Sequence, residues 1–128
     1  MIRRAKQFTV CVPNKPGAGA KFLSALGKTN LMAVSVVDSV DCSTVRLVPS
    51  NATQAAKALA KARICATTQP VLVVDLPNLP GALLKICRKL ARAKVNIEYF
   101  YGSAGSKVPD APVVLRVSSI AKAVQVLK

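Results

Sequence analysis

The chain has 128 residues, with 19 Lys and Arg against 5 Asp and Glu, a formal net charge of +14 and no histidine. Hydrophobic residues make up 52% and aromatic residues 4%, so small aliphatic side chains must build the core, and a disordered chain is excluded. Folding at this length buries roughly two-thirds of the unfolded surface, whereas two units of about sixty residues would each be marginal and are expected to share a sheet or an interface.

In chain order, the apolar run 7–12 reads as a strand and 17–28 as a helix, with Phe22, Leu23 and Leu26 inward and Lys21 and Lys28 outward. Asn30 marks the end of that helix. Runs 31–37 and 42–48 form a hairpin about the polar turn Asp38-Ser39-Val40-Asp41. Ser50 or Asn51 caps an alanine-rich helix over 52–62, and 64–67 reads as a short fourth strand. Residues 67–70 form the one short linker, and a second unit opens with a strand at 71–75. Its helix, 81–94, buries Leu83, Ile86, Cys87 and Leu90 and turns Lys85, Arg88, Lys89 and Arg92 outward as one stripe. A strand at 95–101, a loop tip at 102–107, a strand at 112–117 and a helix from Ser118 or Ser119 to Leu127 complete the chain. The units therefore span 1–68 and 71–128, and the second lacks its final strand; either an N-terminal or a partner's strand fills that place or the edge stays open and recruits a neighbour, with dimerisation favoured.

One stretch occurs twice. Val12-Pro13-Asn14-Lys15-Pro16-Gly17-Ala18 returns as Leu76-Pro77-Asn78-Leu79-Pro80-Gly81-Ala82, sixty-four positions later. Each copy lies between an apolar run and a helical segment. Proline fixes the entry, Asn offers an amide, Gly allows close backbone approach, and the helix N-terminus favours negative charge. A carboxylate suits such a loop, although Pro-Gly by itself also makes a good turn and helix start. Lys21, Leu26 and Lys28 answer Lys85, Leu90 and Arg92; Asn30-Leu31 answers Asn96-Ile97; and the run from Val45 to Val48 answers that from Val114 to Val117, with Arg46 matched to Arg116. Offsets that drift only in loops mark a duplication.

These residues, with the run from Val34 to Asp41 and the run from Asn96 to Ser103, resemble tandem ACT-domain proteins of the small amino-acid-binding kind. The resemblance implies an α/β (α+β) fold of two ferredoxin-like βαββαβ units, an antiparallel sheet with helices on one face, and ligands held where units meet. It implies ligand contacts from Asn14, Lys15, Pro16, Gly17 and Ala18, and from Asn78, Leu79, Pro80, Gly81 and Ala82. Asp38, Ser39 and Asp41 stand at a strand end, where they could receive an ammonium group or simply make a hairpin turn. Asn30 and Asn96 lie at helix-to-strand junctions and fit helix C-caps, and Asn96 is also a candidate ligand contact. Strand alternation puts Tyr99 and Tyr101 on one face, as a pocket wall or as interface packing.

Cysteines 11, 42, 65 and 87 are scattered, and without histidine they make no zinc pattern. Cys11, Cys65 and Cys87 read as small buried hydrophobes and Cys42 as more exposed, all free thiols suited to a reducing cytoplasm. The basic start at 1–6 is followed by no h-region, and no run is long enough to span a membrane. No nucleophile–histidine pair, P-loop or G-x-S-x-G is present, so neither catalysis nor a cofactor is expected. The expectation is a non-catalytic, cytoplasmic, dimeric regulator that binds an amino acid or similar small carboxylate. The alternative is nucleic-acid or acidic-protein binding through the basic helix faces, although the aromatic run of RNA-recognition domains is missing.

Overall fold

A computed structural model describes residues 1–102 and 110–128; the tip expected at 102–107 lies outside them apart from Gly102. Among the described residues there are six strands and four helices: β1 (Ile2–Pro13), α1 (Ala18–Leu26), β2 (Leu31–Asp38), β3 (Cys42–Pro49), α2 (Ala52–Lys61), β4 (Thr67–Pro77), α3 (Ala82–Arg92), β5 (Ile97–Gly102), β6 (Asp110–Val117) and α4 (Ile120–Leu127). The chain divides into two compact units, one of Lys6–Gln69 and the other of Met1–Ala5 with Pro70–Lys128. Both are α+β, with antiparallel pairings.

In the earlier unit the strands run β2-β3-β1. Phe8 faces Leu47 and Val10 faces Val45, so alternate residues of β1 and β3 point to one side. There they meet Ala18, Phe22 and Leu26 of α1 and Ala55 and Leu59 of α2, which places both helices on one face of the sheet. Leu23, expected inward, is half exposed, because the buried stripe of α1 runs through 18, 22 and 26. Residues 67–69 belong to β4 and form no linker. Gln69 Oε1 accepts from Thr9 Oγ1 at 2.7 Å and from Gln7 Nε2 at 3.1 Å, tying this run to β1. The short strand expected at 64–67 therefore begins only at Thr67.

The later unit repeats the plan with β4-β6-β5. Leu72 stands opposite Leu115 as Phe8 stands opposite Leu47, an offset of 64 on one strand and 68 on the other. This corrects the match of Arg46 to Arg116. Thr9 faces Arg46 and Val73 faces Val114, so Arg46 corresponds to Val114, and Arg116 lies one pleat further on, on the same face. The core of α3 and α4 against β4 and β6 includes Leu72, Val74, Leu76, Leu90, Leu115, Ala123 and Leu127. Leu83 and Ile86 pack at its margin only partly buried, and Cys87 is partly exposed. The continuous run from Val71 to Val74 is buried throughout, so neither side of β4 meets solvent there.

The strand missing from this unit is supplied by its own N-terminal residues. Asp75 N donates to Met1 O at 3.0 Å, and Arg3 Nη2 reaches Asp75 Oδ1 at 3.2 Å. Charged residues 3, 4 and 6 have weak strand propensity, yet pairing to β4 extends β1 back to Ile2. Residues 1–5, expected with the first unit, therefore belong with the second.

Helix ends also differ from expectation. Gly27, with φ 61°, caps α1, and Ala93 caps α3, so neither Asn30 nor Asn96 is a C-cap. The two asparagines make a repeated clasp instead. Asn30 O accepts from Ser50 N at 2.8 Å and Asn30 Nδ2 donates to Ser50 Oγ at 3.1 Å. Asn96 O accepts from Ser118 N at 2.9 Å and Asn96 N donates to Ser118 Oγ at 3.0 Å. Asn51 and Ser119 cap α2 and α4 by accepting from the backbone N–H three residues on. Among the described residues no helix is long and apolar enough to cross a membrane.

Candidate functional site

The two proline–glycine loops have the same backbone. Gly17 and Gly81 precede their helices at φ 83° and 85°, a left-handed geometry that glycine adopts without strain. Lys15 N donates to Pro13 O at 3.0 Å, and Leu79 N to Pro77 O at 2.8 Å. Ala18 N donates to Lys15 O at 3.2 Å and Ala82 N to Leu79 O at 3.3 Å. The N–H groups of Ala18 and Ala82, expected to hold a carboxylate, thus already close the loop on itself. An added Cβ at either glycine would meet nothing within 4 Å, so the space beside each loop is open.

Around the first loop the structure assembles polar groups. Asn14 Nδ2 donates to Asp38 Oδ1 at 2.9 Å, and Asn14 N donates to Asp41 O at 3.3 Å. Ser39 N donates to Cys42 O at 2.9 Å, which shapes the turn carrying both aspartates. Asn14, Asp38 and Asp41 therefore form one cluster, with Asp38 exposed and able to accept a further donor such as an ammonium. Lys15, Ala18, Lys21 and Phe22 line a neighbouring cavity of about 340 Å³.

Around the second loop the groups are apolar. Asn78, Leu79 and Ala82 share a cavity of about 410 Å³ with Leu76, Leu83, Phe100 and Tyr101. Leu79 and Phe100 are 67% and 47% exposed, so the apolar wall faces solvent. Tyr99 and Tyr101 are half-buried while Phe100 is exposed, in keeping with alternation along β5. The structure does not bring Asn96 to this cavity. Asn96 precedes β5 at its start, whereas Gly102 at its end lines the cavity, about 20 Å away at strand spacing. Phe100 was not expected to matter; its position on an edge strand, sixty-six residues after Val34, was the available signal.

The thiols also depart from expectation. Cys11 and Cys65 are exposed, and Cys42 and Cys87 partly so. Cys11 sits on the side of β1 away from the helices, diagonal to Cys42 across the strand pair, and the neighbouring Cys42 thiol together with desolvation holds its thiol above the ordinary value.

A family model described as the ACT domain pair matches residues 3–127. A solved structure from Bacteroides thetaiotaomicron is 32% identical, with 98% of this chain and 88% of that one covered and a TM-score of 0.89. The regulatory subunit of aspartate kinase from Thermus thermophilus is 18% identical over 99% of this chain and 95% of its own, with a TM-score of 0.68. That from Thermus flavus is 16% identical over 100% and 96%, with a TM-score of 0.60; at these identities the two Thermus structures attest a shared fold. No curated protein matches the chain. With its strand–loop–helix unit used twice and the family match running through both copies, the chain belongs to the ACT domain pair family.

Proposed function

We propose that the protein is a non-catalytic regulatory module that binds an amino acid or a similar small carboxylate at its proline–glycine loops and passes the binding on as a change in assembly. The observation that carries this reading is the cavity of about 410 Å³ at the second loop, within the range of small-molecule sites, where Asn78 and Tyr101 bring polar groups to a mainly aliphatic wall. Such a wall suits an amino acid with an apolar side chain. At the first loop, the Asp38 carboxylate beside Asn14 suits the ammonium end of a ligand. Two of the similar folds carry names that describe regulatory subunits of aspartate kinase, and a regulatory role is extended here by that analogy.

Assembly is proposed through β2, an edge strand on which Val34, Val36 and Val37 are each at least half exposed. An apolar edge of this kind favours pairing with a second copy. The ligand can shift that equilibrium only by its difference in affinity between the two states.

Thermal unfolding against the twenty amino acids tests the reading. A ligand at one hundred times its Kd adds about 2.7 kcal/mol. A rise in Tm with one or two related amino acids supports the proposal; a flat response to all of them overturns it. A second reading rests on α3, where Lys85, Arg88, Lys89 and Arg92 surround a shallow depression of about 340 Å³ with no acidic residue on the helix. That face suits a polyanion, and binding to labelled RNA or DNA that falls steeply with salt would favour it.

A further inference from the structure

On β1 and β3, Pro13 pairs with Cys42 and Cys11 with Thr44. Cys11 and Cys42 are therefore diagonal neighbours, two positions apart, on the sheet face that carries no helix. The register sets their side chains next to one another on that face, and both are open to solvent at least in part. Scattered spacing in sequence hides this pair; only the strand register brings it together. The later unit provides an internal control. Asp75 and Asp110 occupy the equivalent positions there, with Pro77 opposite Asp110 and Asp75 held by Arg3. The fold does not need thiols at these places, so their meeting is particular to the first loop.

We propose that Cys11 and Cys42 form a reversible disulfide that staples β1 to β3 beneath the first proline–glycine loop. The oxidant class is a hydroperoxide. One sulfur, as thiolate, attacks a peroxide oxygen; the O–O bond breaks, and the departing hydroxide takes up the thiol's proton to leave as water. The second sulfur then displaces the hydroxyl of the resulting sulfenic acid, which leaves with the second thiol's proton as another water. Two S–H groups and one hydrogen peroxide become one S–S bond and two waters. Diagonal neighbours in a sheet stand about 7 Å apart at Cα, against roughly 5.5–6 Å in a relaxed disulfide, so closure draws the strand ends together. A bond closed under such tension is readily reduced, as a regulatory disulfide must be.

The pull acts where the ligand reading needs geometry. Cys11 lies three residues before Asn14, and Cys42 follows Asp41, whose carbonyl accepts the Asn14 N–H. Oxidation therefore displaces Asn14 relative to Asp38 and weakens binding at the first loop; this consequence rests on the proposed function, whereas the disulfide itself does not.

The full chain is treated with a small excess of hydrogen peroxide, its thiols are counted, and its tryptic peptides are mapped. The expected result is loss of two of the four thiols in monomeric chains, a peptide linking residues 11 and 42, and full recovery with dithiothreitol. Cys42→Ser removes that link, while Cys65→Ser and Cys87→Ser leave it intact. A chain that keeps four thiols, or that cross-links through Cys65 or Cys87 first, overturns the proposal. The amino-acid Tm shift is then compared in reduced and oxidised protein. A shift diminished by oxidation in the wild type and not in Cys42→Ser supports the coupling, and an unchanged shift overturns it. No shift in either state, with the link formed, overturns the ligand reading and leaves the disulfide standing.

Discussion

At the first loop Asn14 bonds the turn opposite, through its amide to Asp38 and through its N–H to the Asp41 carbonyl, whereas the second loop opens on a cavity walled by Leu76, Leu83, Phe100 and Tyr101. The backbone beneath them is the same to within a few degrees at the glycine, and the loop-closing hydrogen bonds differ by at most about 0.2 Å. Duplication has preserved the scaffold while its surroundings diverged. The constraint that survives is the left-handed glycine that turns strand into helix; the chemistry at the loop's rim is set by the strands opposite and is free to change.

Substitutions can break this comparison or sharpen it. The largest effects are expected in the equivalent cores: Leu47→Ala and Leu115→Ala, both at fully buried positions paired with the first strand of their units, should each cost about 2–5 kcal/mol in urea unfolding. Gly17→Ala and Gly81→Ala should cost about 1–2 kcal/mol each and nearly equally, since neither Cβ meets a neighbour and only the left-handed backbone resists. A marked inequality between them would show that one loop is held by something the other lacks. Asn14→Ala removes a hydrogen bond to Asp38 and should lower stability by about 0.5–1.5 kcal/mol, and Asn78→Ala should reduce the ligand-induced Tm shift. The smallest effect is one of pH. The Cys11 thiol is held above its ordinary value of 9.0 by the neighbouring Cys42 thiol, so the folded state favours the protonated form. That contribution is complete below pH 9 and is lost as the pH rises through the raised value, so Cys42→Ser should flatten the alkaline decline in Tm.

Much of the fold was legible because duplication leaves two copies of every signal. Each helix and most strands follow from apolar periodicity, and the loops follow from Pro-Asn-x-Pro-Gly. The errors have physical causes. Residues 2–5 read as a charged lead because strand propensity is local, whereas their pairing to β4 is set by tertiary structure. Thr67, Gln69 and Pro70 look like a linker, yet Thr9 and Arg116 bond Gln69 and Pro70 within β4. Arg46 and Arg116 were matched by identity, although register, which sequence similarity does not carry, sets them one pleat apart. Of the candidate site, the two loops and the Asp38 turn could be read from the chain. Phe100 and the Cys11–Cys42 pair could not, because both depend on which residues lie side by side in neighbouring strands.

The exchange of strand segments also sets an order on biosynthesis. Residues 2–5 leave the ribosome ahead of the whole Lys6–Gln69 unit, yet their partner Asp75 emerges after it, 72 positions beyond Arg3. At translation rates of about 5–20 residues per second, that interval lasts several seconds, far longer than a small domain needs to fold. The earlier unit can thus be complete while residues 2–5 wait for a sheet that does not yet exist. Arg3 and Arg4 put like charge along the waiting segment, which opposes its pairing with a second copy of itself.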